Sequence, residues 1–139
     1  GRMTFPVRYR DFIIANNEGK LVCTIDLFSS CLLIYPAKAW DVVAQKLLQL
    51  SDMHPEQRAL KRLLLGYAHD THMDKHGRLL IPPTLRNYAM LNKQTMLIGQ
   101  LNKFELWDEA LWNEQTQINK KLVQGADLSN FDQLQDFSL

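Results

Sequence analysis

Apolar positions fall into two kinds of run along this 139-residue chain. The first kind is short, dense and rich in Val, Ile, Thr, Leu and Tyr. "KLVCTIDLFSSCLLIYP", residues 20–36, is of this kind, and Ser29-Ser30 breaks it, so two antiparallel strands are expected over about 21–27 and 31–35. "QTMLIGQLNKFELW", residues 94–107, repeats the design with a turn at Leu101-Asn102-Lys103. The second kind has helical spacing. Trp40, Val43, Ala44, Leu47 and Leu48 make one stripe after Pro36, and Ala59, Leu60, Leu63 and Leu64 make another after Pro55, with Gly66 as its C-cap. Leu111, Trp112, Ile118, Leu122 and Val123 make a third, which Asp108 can N-cap and Gly125 ends.

Shorter elements fill the gaps. Residues 1–10 read as a strand ended by Pro6, then a basic turn or short helix in "VRYRDFII", with a turn at Asn16-Asn17-Glu18-Gly19. Residues 67–74 read as a strand, Lys75-His76-Gly77 as a tight turn, "RLLI" as a strand ended by Pro82-Pro83, and "PTLRNYAML" as a short helix. The order is strand, short helix, two strands, helix, written twice, with the 55–65 helix joining the halves.

The two halves also match residue by residue. Gly1-Arg2 aligns with Gly77-Arg78, Pro6 with Pro82 and Arg10 with Arg86, and Met3/Leu79, Phe5/Ile81 and Tyr9/Leu85 are apolar matches. Further on, Ile34, Tyr35 and Trp40 align with Leu106, Trp107 and Trp112. Duplication explains two matched blocks in one order. A half of this size is near the lower limit for a stable core, and two interlocked halves bury each other's faces. Asp74, four residues before Arg78, finds no match because its counterpart would precede Gly1. A preceding segment of about ten residues, one strand and its turn, is therefore expected.

Composition narrows the function. At 46% hydrophobic, 22% charged and net +1 the chain has a globular profile, and its balance does not announce a nucleic-acid binder. Distribution says more. Arg2, Arg8 and Arg10 cluster without an acid, Arg58, Lys61 and Arg62 form a second patch, and residues 126–139 hold three Asp and no base. Such clusters are solvated surface by default and a basic binding face otherwise. No apolar run is long enough to span a membrane and none has a signal-peptide pattern, so the cytoplasm is expected. Cys23 and Cys31 sit in apolar strand sequence and are expected reduced and buried. Nucleophile-elbow, zinc-protease and P-loop motifs are absent, so an enzyme is not expected, and no cofactor is implied. His69, His72 and His76 with Asp70 and Asp74 are metal-ligand material, but a strand sends His69 and His72 to opposite faces, so no metal is expected.

Asp74-x-x-x-Arg78 with Gly77, the following strand and proline, the echo at Gly1-Arg2, and the blocks "VCTIDLFSSCLLIYP", "RLLLGYAHDTHMDKHGRLLIPPTLR" and "GQLNKFELWDE" together resemble the MraZ family of bacterial transcriptional regulators, of the double AbrB-like class. The resemblance spans essentially the whole chain. It implies a mainly β fold with flanking helices: a duplicated swapped-hairpin barrel forming an intramolecular pseudo-dimer. The halves would be 1–54 and 67–125, with 55–66 connecting and 126–139 a flexible acidic tail. It also implies assembly into a ring-shaped homo-oligomer. It implies binding of double-stranded DNA, at short direct repeats upstream of the division and cell-wall gene cluster, in the nucleoid. The family's D-x-x-x-R motif falls on Asp74 and Arg78, and in the first half only on Arg2. Arg8, Arg10, Lys75 and Arg86 are then candidates for phosphate contact. By residue chemistry alone Asp74–Arg78 reads first as a salt bridge tying the hairpin, and the resemblance turns it toward DNA. The alternative class is a protein-interaction or antitoxin-type oligomerisation module, in which Trp40, Trp112 and the 55–65 helix dock a partner. Matched tryptophans are otherwise core residues.

Overall fold

In the computed structural model, which describes residues 2–135 and 137, the chain divides into two compact units, Gly1–Asp108 and Glu109–Leu139. Gly1, the start of the matched block, and Asp136 of the acidic tail lie outside the described residues.

The first unit opens with β1 (Arg2–Thr4), which stops before Pro6, a residue with no N–H to give a ladder. Helix α1 (Val7–Asn17) follows and is longer than the basic turn expected. It runs through the Asn16-Asn17 turn signal because the reversal comes later, at Glu18 (φ 55°) and Gly19 (φ 72°). Asn17 is buried, and its side-chain oxygen accepts the Lys38 N–H at 3.0 Å, a tertiary contact that overrides its turn preference.

Strands β2 (Lys20–Ile25) and β3 (Leu32–Pro36) are buried at nearly every position, as continuous apolar runs are when both faces of a sheet are covered. The first ends two residues sooner than expected. The Asp26 carboxylate accepts the Phe28 N–H at 3.1 Å and closes the turn there. Helix α2 (Ala37–Leu48) buries Leu47 and half-buries Trp40, Val43 and Ala44, while Leu48 is 61% exposed.

Helix α3 (Pro55–Gly66) turns a different face inward than its apolar stripe suggests. Gln57, Leu60, Lys61, Leu64 and Leu65 are the half-buried positions, whereas Ala59 and Leu63 are exposed. Polar anchors set this rotation. Gln57 accepts the Ser51 N–H at 2.7 Å, Lys61 meets Asp52 at 2.9 Å, and the Thr24 hydroxyl donates to the Leu64 carbonyl at 2.8 Å. Gly66 stays helical, and its successor Tyr67, also right-handed, caps the helix in the place expected of the glycine.

The second half supplies β4 (His69–His72), β5 (Arg78–Leu80), α4 (Pro83–Tyr88), β6 (Thr95–Gly99) and β7 (Phe104–Asp108). Five strands form one antiparallel sheet in the order β4-β2-β3-β7-β6, and β1 pairs antiparallel with β5 in a separate ladder. A closed barrel was expected. Among the described residues the sheet is open instead, because β1 and β5 pair only with each other and leave β4 and β6 as edges. The registers pair matched residues. Met3 lies opposite Leu79, and Leu33 opposite Glu105. Around those pairs, Arg2 faces Leu80 as Thr4 faces Arg78, and Leu32 faces Leu106 as Ile34 faces Phe104.

The core lies between these layers. Phe5, Ile13, Leu21, Ile34, Leu79 and Leu106 are at its centre, and the Phe5 and Phe104 rings meet edge to face at 5.0 Å. Cys23 and Cys31 are free and buried, and burial pushes the Cys23 thiol up to about 12.

The second unit holds α5 (Glu109–Gly125) and single 3-10 turns at Leu128–Asn130 and Asp132–Leu134. Ile118, Leu122 and Val123 of the stripe expected to be buried are more than half exposed. None of the described helices is long and apolar enough to cross a membrane.

Candidate nucleic-acid interface

The site is built from a tight turn between β4 and β5. Buried Met73 fixes its entry by donating its N–H to the Gly19 carbonyl at 2.8 Å. Asp74 N–H donates to the Arg78 carbonyl at 2.9 Å, and Gly77 N–H donates to the Asp74 carbonyl at 3.0 Å. Gly77 has φ 75°, a conformation that favours a residue without Cβ.

The Asp74 carboxylate organises the loop from within. One oxygen accepts the His76 N–H at 2.8 Å and the Arg78 N–H at 2.9 Å, and the other accepts Arg78 Nε at 2.9 Å. The Arg78 backbone N–H is the main cause that lowers the Asp74 carboxyl to about 2, with the His76 N–H and the Arg78 guanidinium adding to it. The contact to Asp74 is made through Nε, so neither Nη group is used in it. Arg78 and Asp74 side chains remain 43% and 37% exposed.

This carboxylate sets a pH expectation. A lowered folded-state pKa contributes stability to the turn that is present above the ordinary value of 3.8 and is lost as pH falls toward 2. A carbon-13 NMR titration of the Asp74 carboxyl should give a midpoint near 2, with the Arg78 Nε–H resonance unshifted down to pH 4. A midpoint at 3.8 would mean that the turn is not held this way.

Arg2 and Arg78 come together on one surface. In the β1–β5 ladder Arg2, Thr4, Arg78 and Leu80 alternate with Met3 and Leu79, so the first four share the exposed face and the latter two face the core. The two arginines are diagonal neighbours there. Arg2 also lines a cleft of about 220 Å³ with Arg86 and Lys93. Lys93 was missed in the sequence, where it is one cation in an unpatterned loop. Lys75 is exposed at the turn itself. Arg8 is exposed on α1, with its guanidinium 4.7 Å from the centre of the Tyr9 ring.

Arg10 differs from the others. It is half-buried, and its Nε donates to the Phe5 carbonyl at 2.8 Å. The histidines do not converge. His69 and His72 sit three apart on β4, and the His72 ring rests against Gly19. The groups that do converge are Asp26, Cys31 and Glu105, whose ligand atoms lie within 4.8 Å of one another. The Cys31 thiol donates to Asp26 at 3.4 Å, and burial and the two carboxylates raise it, so it is held as a neutral donor rather than a thiolate ligand. Trp40 is half-buried beside Tyr35, at a hollow of about 460 Å³ that it lines with Asp41, Asp70 and His72.

A family model described as "MraZ protein, putative antitoxin-like" matches the chain twice, over residues 1–63 and 64–132. Among curated proteins, the chain is 55% identical over 139 residues to a "Transcriptional regulator MraZ" of Shewanella amazonensis, covering all of this chain and 91% of that relative. It is 54% identical to the protein of the same name from Shewanella denitrificans and 51% identical to that from Shewanella loihica, with the same coverage.

Proposed function

The chain belongs to the MraZ family, and on that premise we propose that it is a bacterial transcriptional regulator, acting in the cytoplasm at the nucleoid, that reads double-stranded DNA with Arg78 and Arg2. The observation that carries this reading is the position of Arg2 and Arg78 as diagonal neighbours on the exposed face of the β1–β5 ladder. Each can offer two parallel N–H groups to a guanine edge, a contact that contributes about 1–3 kcal/mol of discrimination. Asp74 fixes Arg78 at its Nε. Lys75 in the turn and Arg86 and Lys93 beside Arg2, with exposed Arg8 on α1, supply phosphate contacts, which add affinity without sequence information.

The matched registers support a pseudo-dimer. Two contacts between the halves, β1–β5 and β3–β7, pair each residue's counterpart with the other's, as a local two-fold does. The halves are then 1–54 and 67–125, joined by the helix 55–66, with 126–139 as a tail. One such unit presents only a pair of arginines. A ring of copies would present several pairs to short direct repeats upstream of the division and cell-wall gene cluster, and tethering multiplies affinity without new contacts.

The test is a fluorescence-anisotropy titration of the chain with a duplex selected by it from a random pool, against a scrambled duplex, between 50 and 200 mM salt. Binding to the selected duplex should be tighter at every salt concentration. The logarithm of affinity should fall with that of salt, by about 0.9 for each phosphate neutralised. Equal affinity for the two duplexes, or no salt dependence, overturns the reading.

A second reading draws on the exposed Ile118, Leu122 and Val123 and on the family description as antitoxin-like. It makes the chain a protein-interaction module. Association through such an apolar surface should strengthen or hold as salt rises, the opposite of DNA binding.

A further inference from the structure

We propose that Arg10 is a positioning residue that braces the Asp74–Arg78 turn from beneath and reaches across from the other half of the molecule to do so. The inference rests on the DNA-reading role of that turn. Gly77 lies in a turn whose neighbours Lys75, His76 and Arg78 are exposed, yet Gly77 itself is buried. The cover is Arg10. A Cβ built on Gly77 would fall on the Nε, Cδ and Cζ atoms of Arg10, with Cζ at 2.8 Å.

One residue, Phe5, ties the two together through its own N–H and carbonyl. The Phe5 carbonyl accepts Arg10 Nε at 2.8 Å, and the Phe5 N–H donates to the Gly77 carbonyl at 2.8 Å. Phe5 is itself fully buried, so this hub is anchored in the core. The flat guanidinium therefore lies against the turn while its Nε is held, and the glycine is needed for close approach as well as for its positive φ. Arg10 is half-buried and its Nε is already taken by the Phe5 carbonyl, an arrangement that suits a brace better than a phosphate contact.

Lysine keeps the charge but has neither the Nε–H at this position nor the planar head. Arg10→Ala and Arg10→Lys should each weaken binding to the selected duplex about tenfold, leave scrambled-duplex binding within about twofold, and leave its salt slope unchanged. Without DNA, both should shift the Gly77 amide resonance and speed its hydrogen exchange. Gly77→Ala should cost less stability in the Arg10→Ala background than in the wild type, since one clash has been removed.

Full affinity in Arg10→Lys with a loss in Arg10→Ala, or a salt slope reduced by about one charge, would make Arg10 a phosphate contact and overturn the brace. Failure of both variants to fold would make it a structural residue and overturn it equally. Arg78→Ala on the same duplexes separates the two layers. If that variant binds normally, the DNA-reading role of the turn fails, while the Gly77 amide still reports on the brace. If Arg78→Ala loses binding and both Arg10 variants keep it, the brace alone fails.

Discussion

Arg78→Ala should abolish the preference for the selected duplex, with about 10–100-fold loss of affinity for each subunit engaged. Binding to scrambled DNA should weaken only slightly. The expectation is clean because little of the fold depends on this side chain. It is 43% exposed and its ion pair with Asp74 is a surface pair, of a kind that adds little to stability. The stronger ties of the turn are backbone ones and survive the substitution, including the Arg78 N–H to Asp74 and the Asp74 N–H to the Arg78 carbonyl. The unfolding midpoint should therefore stay close to that of the wild type. Unchanged affinity for the selected duplex in a gel-shift titration would remove Arg78 from the site.

The largest effect on stability should come from Phe5→Ala, about 3–5 kcal/mol. Phe5 is wholly buried, and its ring stands edge-on to Phe104, which also takes the Tyr9 ring at 4.9 Å. Truncation removes the shared partner from this cluster and leaves a cavity between the β1–β5 ladder and the large sheet. Domains of this size are stable by about 5–15 kcal/mol in all, so a large part of the reserve goes. Urea melts followed by circular dichroism should show the midpoint falling by about 1–3 M. Phe28→Ala is the control. Phe28 is 93% exposed, and its loss should change stability by no more than about 0.5 kcal/mol. A cost below 1 kcal/mol at Phe5 would mean that the core is not centred there.

Strands and turns were legible in the sequence because their signals are local. The dense runs around Val22 and Ile34 can only be covered strands, and Gly77 marks its turn through backbone freedom. The pair Asp74–Arg78 was legible for the same reason, since four residues across a tight turn close a loop without help. What escaped depends on contacts distant in sequence. The end of α1 moved because Asn17 is engaged by Lys38, and α3 rotated because Thr24, Asp52 and Ser51 hold it. Arg10 looked like one more surface cation until Phe5 and Gly77 closed over it, and Lys93 gained meaning only beside Arg2 and Arg86.

The β3–β7 register sets Leu33, buried, opposite Glu105, whose carboxylate is hydrogen-bonded by the Gln100 and Trp107 side chains. Two separate copies of the second half, associated in the same way, would set a glutamate against its own image, and like charges directly opposite repel. Two copies of the first half would set leucine against leucine. Joining both halves in one polypeptide lets the midpoint of that seam be unequal, one oily side and one acidic side, and so disfavours replacement of the first half by a duplicate of the second.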